Sequence, residues 1–249
     1  RGLGDVYKRQ QYHGANRLGA NSLLSCIYTG LMMGPGVNNY LKNLPEAASQ
    51  LPSSVFENDE KRWKERFSDI SSMKGSENPY ALHSELAEAM ISNVLIVREN
   101  DKLQSTLDVI EDIESRWKDI ECVDTQDWSN PVPSFVNQLW NMIQLSKIIT
   151  MGALKRDEFR GSHYKPEFDL NQPDDFDPAD YLEYEEQKAN GGVHKDQFAP
   201  SHVDYMERFE KNNEDWLKSS IATYNNGKPA VDFESVDTSL IAPRPRKYD

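Results

Sequence analysis

The chain has little cysteine, no long apolar run and no basic cluster, and each shortage removes a class of explanation. Cys26 and Cys122 are the two cysteines in 249 residues, far apart and without a C-x-x-C spacing. A disulfide framework and a cysteine metal knuckle are therefore excluded, and two thiols in a reducing compartment remain. No stretch of 18 consecutive apolar residues is present, so no segment reads as a membrane-spanning helix. Acidic residues outnumber basic ones, 41 to 28, for a formal net charge of −13. Phosphate neutralisation needs Lys and Arg gathered on one face; no such gathering occurs, so a nucleic-acid partner is not expected. A hydrophobic fraction of 37% over this length still allows one sizeable core or two smaller ones.

What is present starts with Tyr12–Gly36. A loop of small residues, Gly14-Ala15-Asn16-Arg17-Leu18-Gly19-Ala20-Asn21, runs into a segment where Leu23, Leu24, Ile27, Tyr28, Leu31 and Met32 recur at helical spacing. Asn21 or Ser22 is a natural N-cap and Gly34-Pro35 a natural stop. Small residues let a ligand approach the backbone, and the helix behind them offers unpaired N–H groups and the positive end of its dipole. Arg17 adds a planar fork that fits a carboxylate or phosphate. Composition alone supports a plain loop-to-helix connection equally well.

The remainder reads as helices followed by a hairpin. Ser53 or Ser54 caps a helix whose Val55, Phe56, Trp63, Phe67 and Ile70 form a core stripe, and Gly75 closes it. Asn78-Pro79 opens the next, with Leu82, Leu86, Met90 and Ile91 on one face and a lone His83 of structural type. Asn93–Val97 suits a strand by propensity; from Asn100, Leu103, Leu107, Ile110 and Ile113 mark one buried helical face up to Trp117. Cys122–Pro133 is a loop, and Ser134 caps a long helix through Leu139, Ile143, Leu145, Ile149 and Leu154, apolar on more than half its circumference. Such a helix belongs in the middle of an antiparallel bundle, here spanning residues 53–160. Arg160-Gly161-Ser162-His163 reads as a helix C-terminal turn. Asp169–Glu186 holds eight carboxylates and no Lys or Arg, which predicts a solvated surface insertion over 169–200, with partner binding as the alternative. A helix at Ser201–Asn212, strands at Trp216–Tyr224 and Ala230–Val236 around the turn Asn225-Asn226-Gly227-Lys228, and a non-helical exit complete the chain. Acidic pairs such as Glu57/Glu60 read as helix surface, and no metal site is expected.

The contiguous HGANRLGANSLL at His13–Leu24 resembles the signature near the end of the flavin domain in the flavoprotein subunits of succinate dehydrogenase and fumarate reductase. RDEFRGSHYKPEF at Arg156–Phe168 is similar to that family's second late signature, and NNEDWLKSSIATYNNGKP with VDTSLIAPRPRKYD resembles its small C-terminal domain. The match covers nearly everything after Gln10 and is weakest over Pro173–Val203. L-Aspartate oxidases share the first signature more loosely, and a free-standing helical interaction module is the non-enzymatic alternative. Residues 1–10, RGLGDVYKRQ, resemble translated sequencing adapter, which would make the chain the C-terminal part of a longer flavoprotein.

The resemblance implies a mainly α fold: the end of an α/β FAD-binding domain (11–44), a spectrin-like three- or four-helix bundle (53–160) and a small α+β C-terminal domain (161–249). It implies FAD as cofactor and oxidation of succinate to fumarate. Arg17 becomes the arginine that binds the substrate carboxylate, and His13 a further catalytic candidate. Asn21, Ser22 and Leu23 become flavin-contacting positions, and Arg98 the arginine of a helix-to-helix connection. The dinucleotide glycines, the flavin-linking histidine and the arginine proton donor have no counterpart here. Implied partners are an iron–sulfur subunit and, through it, a membrane-anchor cytochrome b subunit and quinone. The implied location is the cytoplasmic face of the bacterial inner membrane, or the matrix side in mitochondria.

Overall fold

The computed structural model describes residues 21–124, 126, 128–225, 228–239 and 242–245. The chain is mainly helical. In order it forms α1 (Asn21–Asn43), α2 (Ser53–Ser71), α3 (Pro79–Asn93), α4 (Asn100–Arg116), α5 (Val132–Lys155), α6 (Pro178–Ala189), α7 (Pro200–Trp216), β1 (Lys218–Asn225) and β2 (Lys228–Ser235).

Helix α5 is the centre. It packs against α2, α3 and α4 and against both strands. Its buried positions, Val136, Leu139, Ile143, Ser146, Thr150 and Ala153, step by three and four residues, the seam of a coiled-coil-like helix. Ile70 of α2, Leu82 and Leu86 of α3, Ile110 and Ile113 of α4 and Trp117 close on that seam, as expected for a bundle. Thr150 Oγ1 donates to the Ser146 carbonyl at 2.8 Å, so this buried hydroxyl is satisfied within the helix. Leu145 and Ile149, counted as core from composition, are exposed on the back of the helix. A seam with a 3.5-residue period buries a narrower stripe than the apolar residues could fill.

Several boundaries move. Helix α1 runs through Gly34-Pro35 to Asn43, because the apolar spacing resumes at Val37 and Leu41; Pro35 removes one N–H, and Pro45 follows the helix end. Helix α2 has Pro52 as its N-cap, with Ser53 already helical and no side-chain cap bond. Its stripe is core only at the C-terminal end. Ile70 is buried and Phe67 half-buried, whereas Val55, Phe56 and Trp63 are exposed. Helix α5 begins at Val132, so Pro133 lies inside its first turn and Ser134 caps nothing. Asn78 caps α3 as expected, its side chain accepting from Tyr80 N at 2.9 Å and Ala81 N at 3.4 Å. Ile91 faces out, one position off the Leu82–Leu86–Met90 line. Residues 94–99 form a connection, paired through an isolated bridge between Val97 and Tyr164, rather than a strand.

The acidic stretch turns its carboxylates largely to solvent, as expected, but it also covers a core. Helices α6 and α7 enclose a second core of Phe176, Tyr181, Tyr184, Phe198, Val203, Tyr205, Met206 and Phe209, with the carboxylates outside. The rings meet edge to face, Phe176 with Tyr205 at 4.8 Å and Tyr181 with Phe209 at 5.3 Å between centroids. Charge count identifies the solvated face, and the aromatic residues that recur at helical spacing on the other face form the core. Strands β1 and β2 pair antiparallel from Lys218 opposite Ser235 to Asn225 opposite Lys228, close to the expected hairpin. The turn residues 226 and 227 fall outside the described residues.

Gly75 closes the joint between α2 and α3. A Cβ there would stand 1.9 Å from the Asp119 carbonyl oxygen, because Gly75 N donates to Ile120 O at 3.1 Å across two bridged segments. Gly152, inside α5, has nothing within 4 Å of such a Cβ. Gly75→Ala is therefore expected to destabilise by about 2 kcal/mol or more, whereas Gly152→Ala gains roughly 0.5–1 kcal/mol from helix propensity. Urea denaturation of the two variants checks both signs.

Candidate functional site

A helix of 24 residues such as α5 ends with carbonyls that lack partners and with the negative pole of its dipole. The segment that follows, Arg156–Lys165, meets that demand with cations. Lys165, with 1% of its surface exposed, donates from Nζ to the carbonyls of Leu154 and Arg156, both at 3.1 Å, and to Asp157 Oδ1 at 2.8 Å. An ammonium this deep is tolerated because all three of its N–H bonds are used.

Glu158, also 1% exposed, lies between two guanidinium groups. Arg156 Nη1 binds Glu158 Oε1, and Arg160 Nε donates to Glu158 Oε2 at 2.7 Å. Arg156 then reaches across to the hairpin. Its Nη1 donates to Trp216 O at 3.0 Å and its Nη2 to Lys218 O, and its plane lies 5.2 Å from the Phe233 ring centroid. Arg160 Nη2 donates to Asn213 Oδ1 of α7 at 2.8 Å. Lys155 Nζ donates to Val231 O of β2 at 2.8 Å. One buried carboxylate thus fixes two arginines that tie α5, α7 and both strands together.

His163 completes the junction. Gly161 takes a φ of 58°, which lets Arg160 and His163 exchange backbone bonds at 3.1 and 3.0 Å. The unusual angle was expected at Gly161, but the turn stands several residues beyond the end of α5 rather than at its C-terminus. Arg98 Nη1 lies 2.6 Å from His163 Nδ1, and His163 Nε2 lies 2.9 Å from the Arg156 carbonyl. A guanidinium can only donate, so Nδ1 accepts and the ring proton sits on Nε2, donating to Arg156 O. Burial, assisted by the nearby charges of Arg98 and Lys165, lowers the His163 pKa to about 4. The imidazole is neutral at pH 7, with both nitrogens engaged.

Of the residues expected to form the site, Arg17 and His13 lie outside the described residues. Asn21, Ser22 and Leu23 form the first turn of α1, and the Leu23 side chain is exposed. Among the described residues no hydrogen bond or ion pair joins that turn to the Arg156–Lys165 junction. The first turn of α1 carries no acidic residue. Glu158 and Lys165 went unrecognised as buried charges. The signal available for them was a dense alternation of acids and bases directly after an apolar helix. Among the described residues no cluster of three or more His, Cys, Asp or Glu is placed to hold a metal.

A central helix, a capping hairpin and a partly buried ionic junction define the class: a helical domain whose buried charges serve cohesion. The chain belongs to the family described as fumarate reductase flavoprotein C-term, whose pattern matches residues 83–248. It is 41% identical over 238 residues to the succinate dehydrogenase flavoprotein subunit of Bacillus subtilis (strain 168), covering 95% of this chain and 34% of that protein. It is 27% identical over 186 residues to the 8-methylmenaquinol:fumarate reductase flavoprotein subunit of Wolinella succinogenes, covering 73% of this chain and 29% of that protein. An E. coli quinol fumarate reductase structure superposes with a TM-score of 0.64 at 20% identity, over 94% of this chain and 33% of that one, a likeness of fold. The chain spans about a third of the length of these relatives.

The two buried histidines should respond to pH with opposite signs. His163 has a folded pKa below its unfolded value, so its contribution is complete above about pH 6.5 and disappears as pH falls towards 4, roughly 3 kcal/mol at most. His202 is desolvated, yet Asp175 and Asp180, at 3.2 and 2.9 Å from its two ring nitrogens, raise its pKa overall. Its contribution is complete below about pH 6.5 and disappears as pH rises through the folded value. Titration of the ring protons by NMR is expected to find His163 titrating near 4 and His202 above 6.5. A His163 midpoint near 6.5 would contradict the junction as drawn.

Proposed function

We propose that the chain is the C-terminal part of a succinate dehydrogenase flavoprotein, which oxidises succinate to fumarate and passes electrons to an iron–sulfur subunit. The observation that carries this is the 41% identity to the Bacillus subtilis succinate dehydrogenase flavoprotein subunit, sustained over 95% of the chain. FAD, when bound, supplies the two-electron acceptor.

The chain's own residues bind and orient. Arg17 grips one carboxylate of the dicarboxylate with two parallel charge-assisted hydrogen bonds, which sets the reacting carbons and helps stabilise charge that develops on the substrate. His13 flanks it as a secondary candidate. The backbone of Asn21, Ser22 and Leu23 opens α1 with its positive pole towards the flavin, which favours the reduced anionic form. The exposed apolar residues of α1, including Ile27, Leu31 and Met32, and Val55 and Phe56 on α2 form the surface on which the remainder of the flavoprotein packs. The Arg156–Lys165 junction holds the hairpin and α7 rigidly on the end of α5.

Further partners are the iron–sulfur subunit and, through it, a membrane-anchor cytochrome b subunit and quinone, with succinate and fumarate as the substrate pair. No helix among the described residues is long and apolar enough to cross a membrane. Peripheral attachment through partner subunits, at the cytoplasmic face of the inner membrane, follows from this reading. The division into a flavin-domain end (11–44), a bundle (53–160) and a C-terminal unit (161–249) belongs to the same proposal.

A chimera tests it. Residues 11–249 replace the corresponding C-terminal region of the Bacillus subtilis subunit, and membranes are assayed for succinate-dependent dye reduction. Activity is expected in the chimera. Arg17→Lys is expected to keep the flavin content and to lower turnover about 30- to 1,000-fold, because an ammonium forms one bond where a guanidinium forms two. Near-normal turnover in Arg17→Lys would make Arg17 structural.

A further inference from the structure

Helix α6 ends in a turn that is held at both sides and free in the middle. Asn190, its C-cap, donates from its N–H to the carbonyls of Glu186 and Gln187, both at 3.1 Å, and Gly192 N donates to Gln187 O at 3.2 Å. Gln187 Oε1 accepts from His194 N at 2.8 Å a little further on. Between those holds, the Asn190 carbonyl, the Gly191 N–H and the Asn190 side-chain amide make no hydrogen bond among the described residues. Asn190 and Gly191 are exposed and border an open cleft of about 560 Å³, so water reaches both.

An asparagine followed by glycine sets an electrophile, the side-chain Cγ, close in the chain to a nucleophile, the next backbone nitrogen. Folded structure ordinarily keeps the two apart, because a bulky second residue crowds the approach and a hydrogen-bonded peptide plane does not rotate. Neither restraint acts at 190–191. The Asn190 ψ of 10° turns the Gly191 nitrogen away from Cγ, so the peptide plane must swing through more than a right angle. Rotation of that plane alone suffices: ψ of Asn190 and φ of Gly191 change in opposite senses, and the flanking hydrogen bonds stay made. Gly191 starts at a φ of 116° and ends at negative φ, a range that only glycine covers without strain.

We propose that Asn190–Gly191 is a self-modification site, at which the chain closes a succinimide and opens it with water to aspartate and isoaspartate. The Gly191 nitrogen gives its proton to solvent base and bonds to Asn190 Cγ; the Cγ–Nδ2 bond breaks, and the nitrogen leaves as ammonia after taking a proton from water. Water then breaks either the new Cγ–N bond, which yields aspartate, or the bond from the Asn190 backbone carbonyl carbon to that nitrogen, which yields isoaspartate. No electrons are transferred. Either product puts a carboxylate at the C-terminal end of α6, against the helix dipole and on the cleft that Glu183 and Glu186 already line. Isoaspartate also lengthens the main chain by one methylene just ahead of Val193 and Phe198, which pack in the second core. The inference is independent of the activity proposed above.

The test incubates the full chain at neutral pH, folded and in guanidinium chloride, and digests samples over time for mass spectrometry with fragmentation that separates aspartate from isoaspartate. The peptide with Asn226-Gly227, the other Asn-Gly step of the sequence, lies outside the described residues and is quantified separately. Both products are expected at position 190 in the folded chain, at a rate within about tenfold of the unfolded chain, since no structure has to open first. Asn190→Gln is expected to remove them from that peptide with an unchanged circular dichroism spectrum. A folded rate more than about tenfold below the unfolded one would show the turn to be locked and overturn the proposal. Aspartate without isoaspartate, the mark of direct hydrolysis, would overturn it as well.

Discussion

The structure depends on one constraint: the carbonyls that end α5 are met by groups of the chain rather than left to solvent. Helix ends are ordinarily satisfied by water, and a buried one must find donors within the chain. Lys165 supplies them to Leu154 and Arg156, and Glu158 holds Arg156 and Arg160 so that they can reach the hairpin and α7. A buried ion network of this kind adds little over a well-packed apolar substitute, but removal of any one partner strands the others at about 3–5 kcal/mol. Its value is therefore geometric. It disfavours other arrangements of α5, α7 and the hairpin, because these would leave charges unpaired.

The same logic separates the two cores. The first, on the α5 seam, is aliphatic and made by helices that interlock at regular spacing. The second, between α6 and α7, is aromatic and lies within the most acidic part of the chain. There the surface is held by charge pairs such as Lys188 with Glu210 at 2.8 Å, and by His202 between Asp175 and Asp180. Exposed pairs contribute little individually, so the rings provide most of the cohesion and the charges mainly keep the surface wet. The Arg156–Lys165 junction lies where the first core hands over to the hairpin, and its signature-like sequence follows from that position.

Much of this was legible from residues alone. The spacing of Leu103, Ile110 and Ile113 located α4, Asn78-Pro79 located the start of α3, and the polar turn at 225–228 located the hairpin, because caps, turns and helical periodicity are local properties. The places where residue patterns misled are those where a local signal met a non-local competitor. Pro35 reads as a stop, yet the helix persists across it. Val55, Phe56 and Leu145 read as core, yet apolar character states only that a residue can be buried, not that a neighbour exists to bury it. The acidic stretch reads as solvated, and is so on its outer face, but the core formed by its tyrosines and phenylalanines needed a partner helix to be seen.

By itself, then, the sequence determined the helical class, the order of the elements, the hairpin and the family signatures. These depend on intervals of a few residues and on side-chain chemistry. The tertiary structure alone decided which charges are buried, which ring nitrogen of His163 carries the proton, and why position 75 must be glycine. Those facts depend on residues dozens of positions apart meeting where water is excluded. There the cost of an unpaired charge or a misplaced Cβ exceeds any local preference.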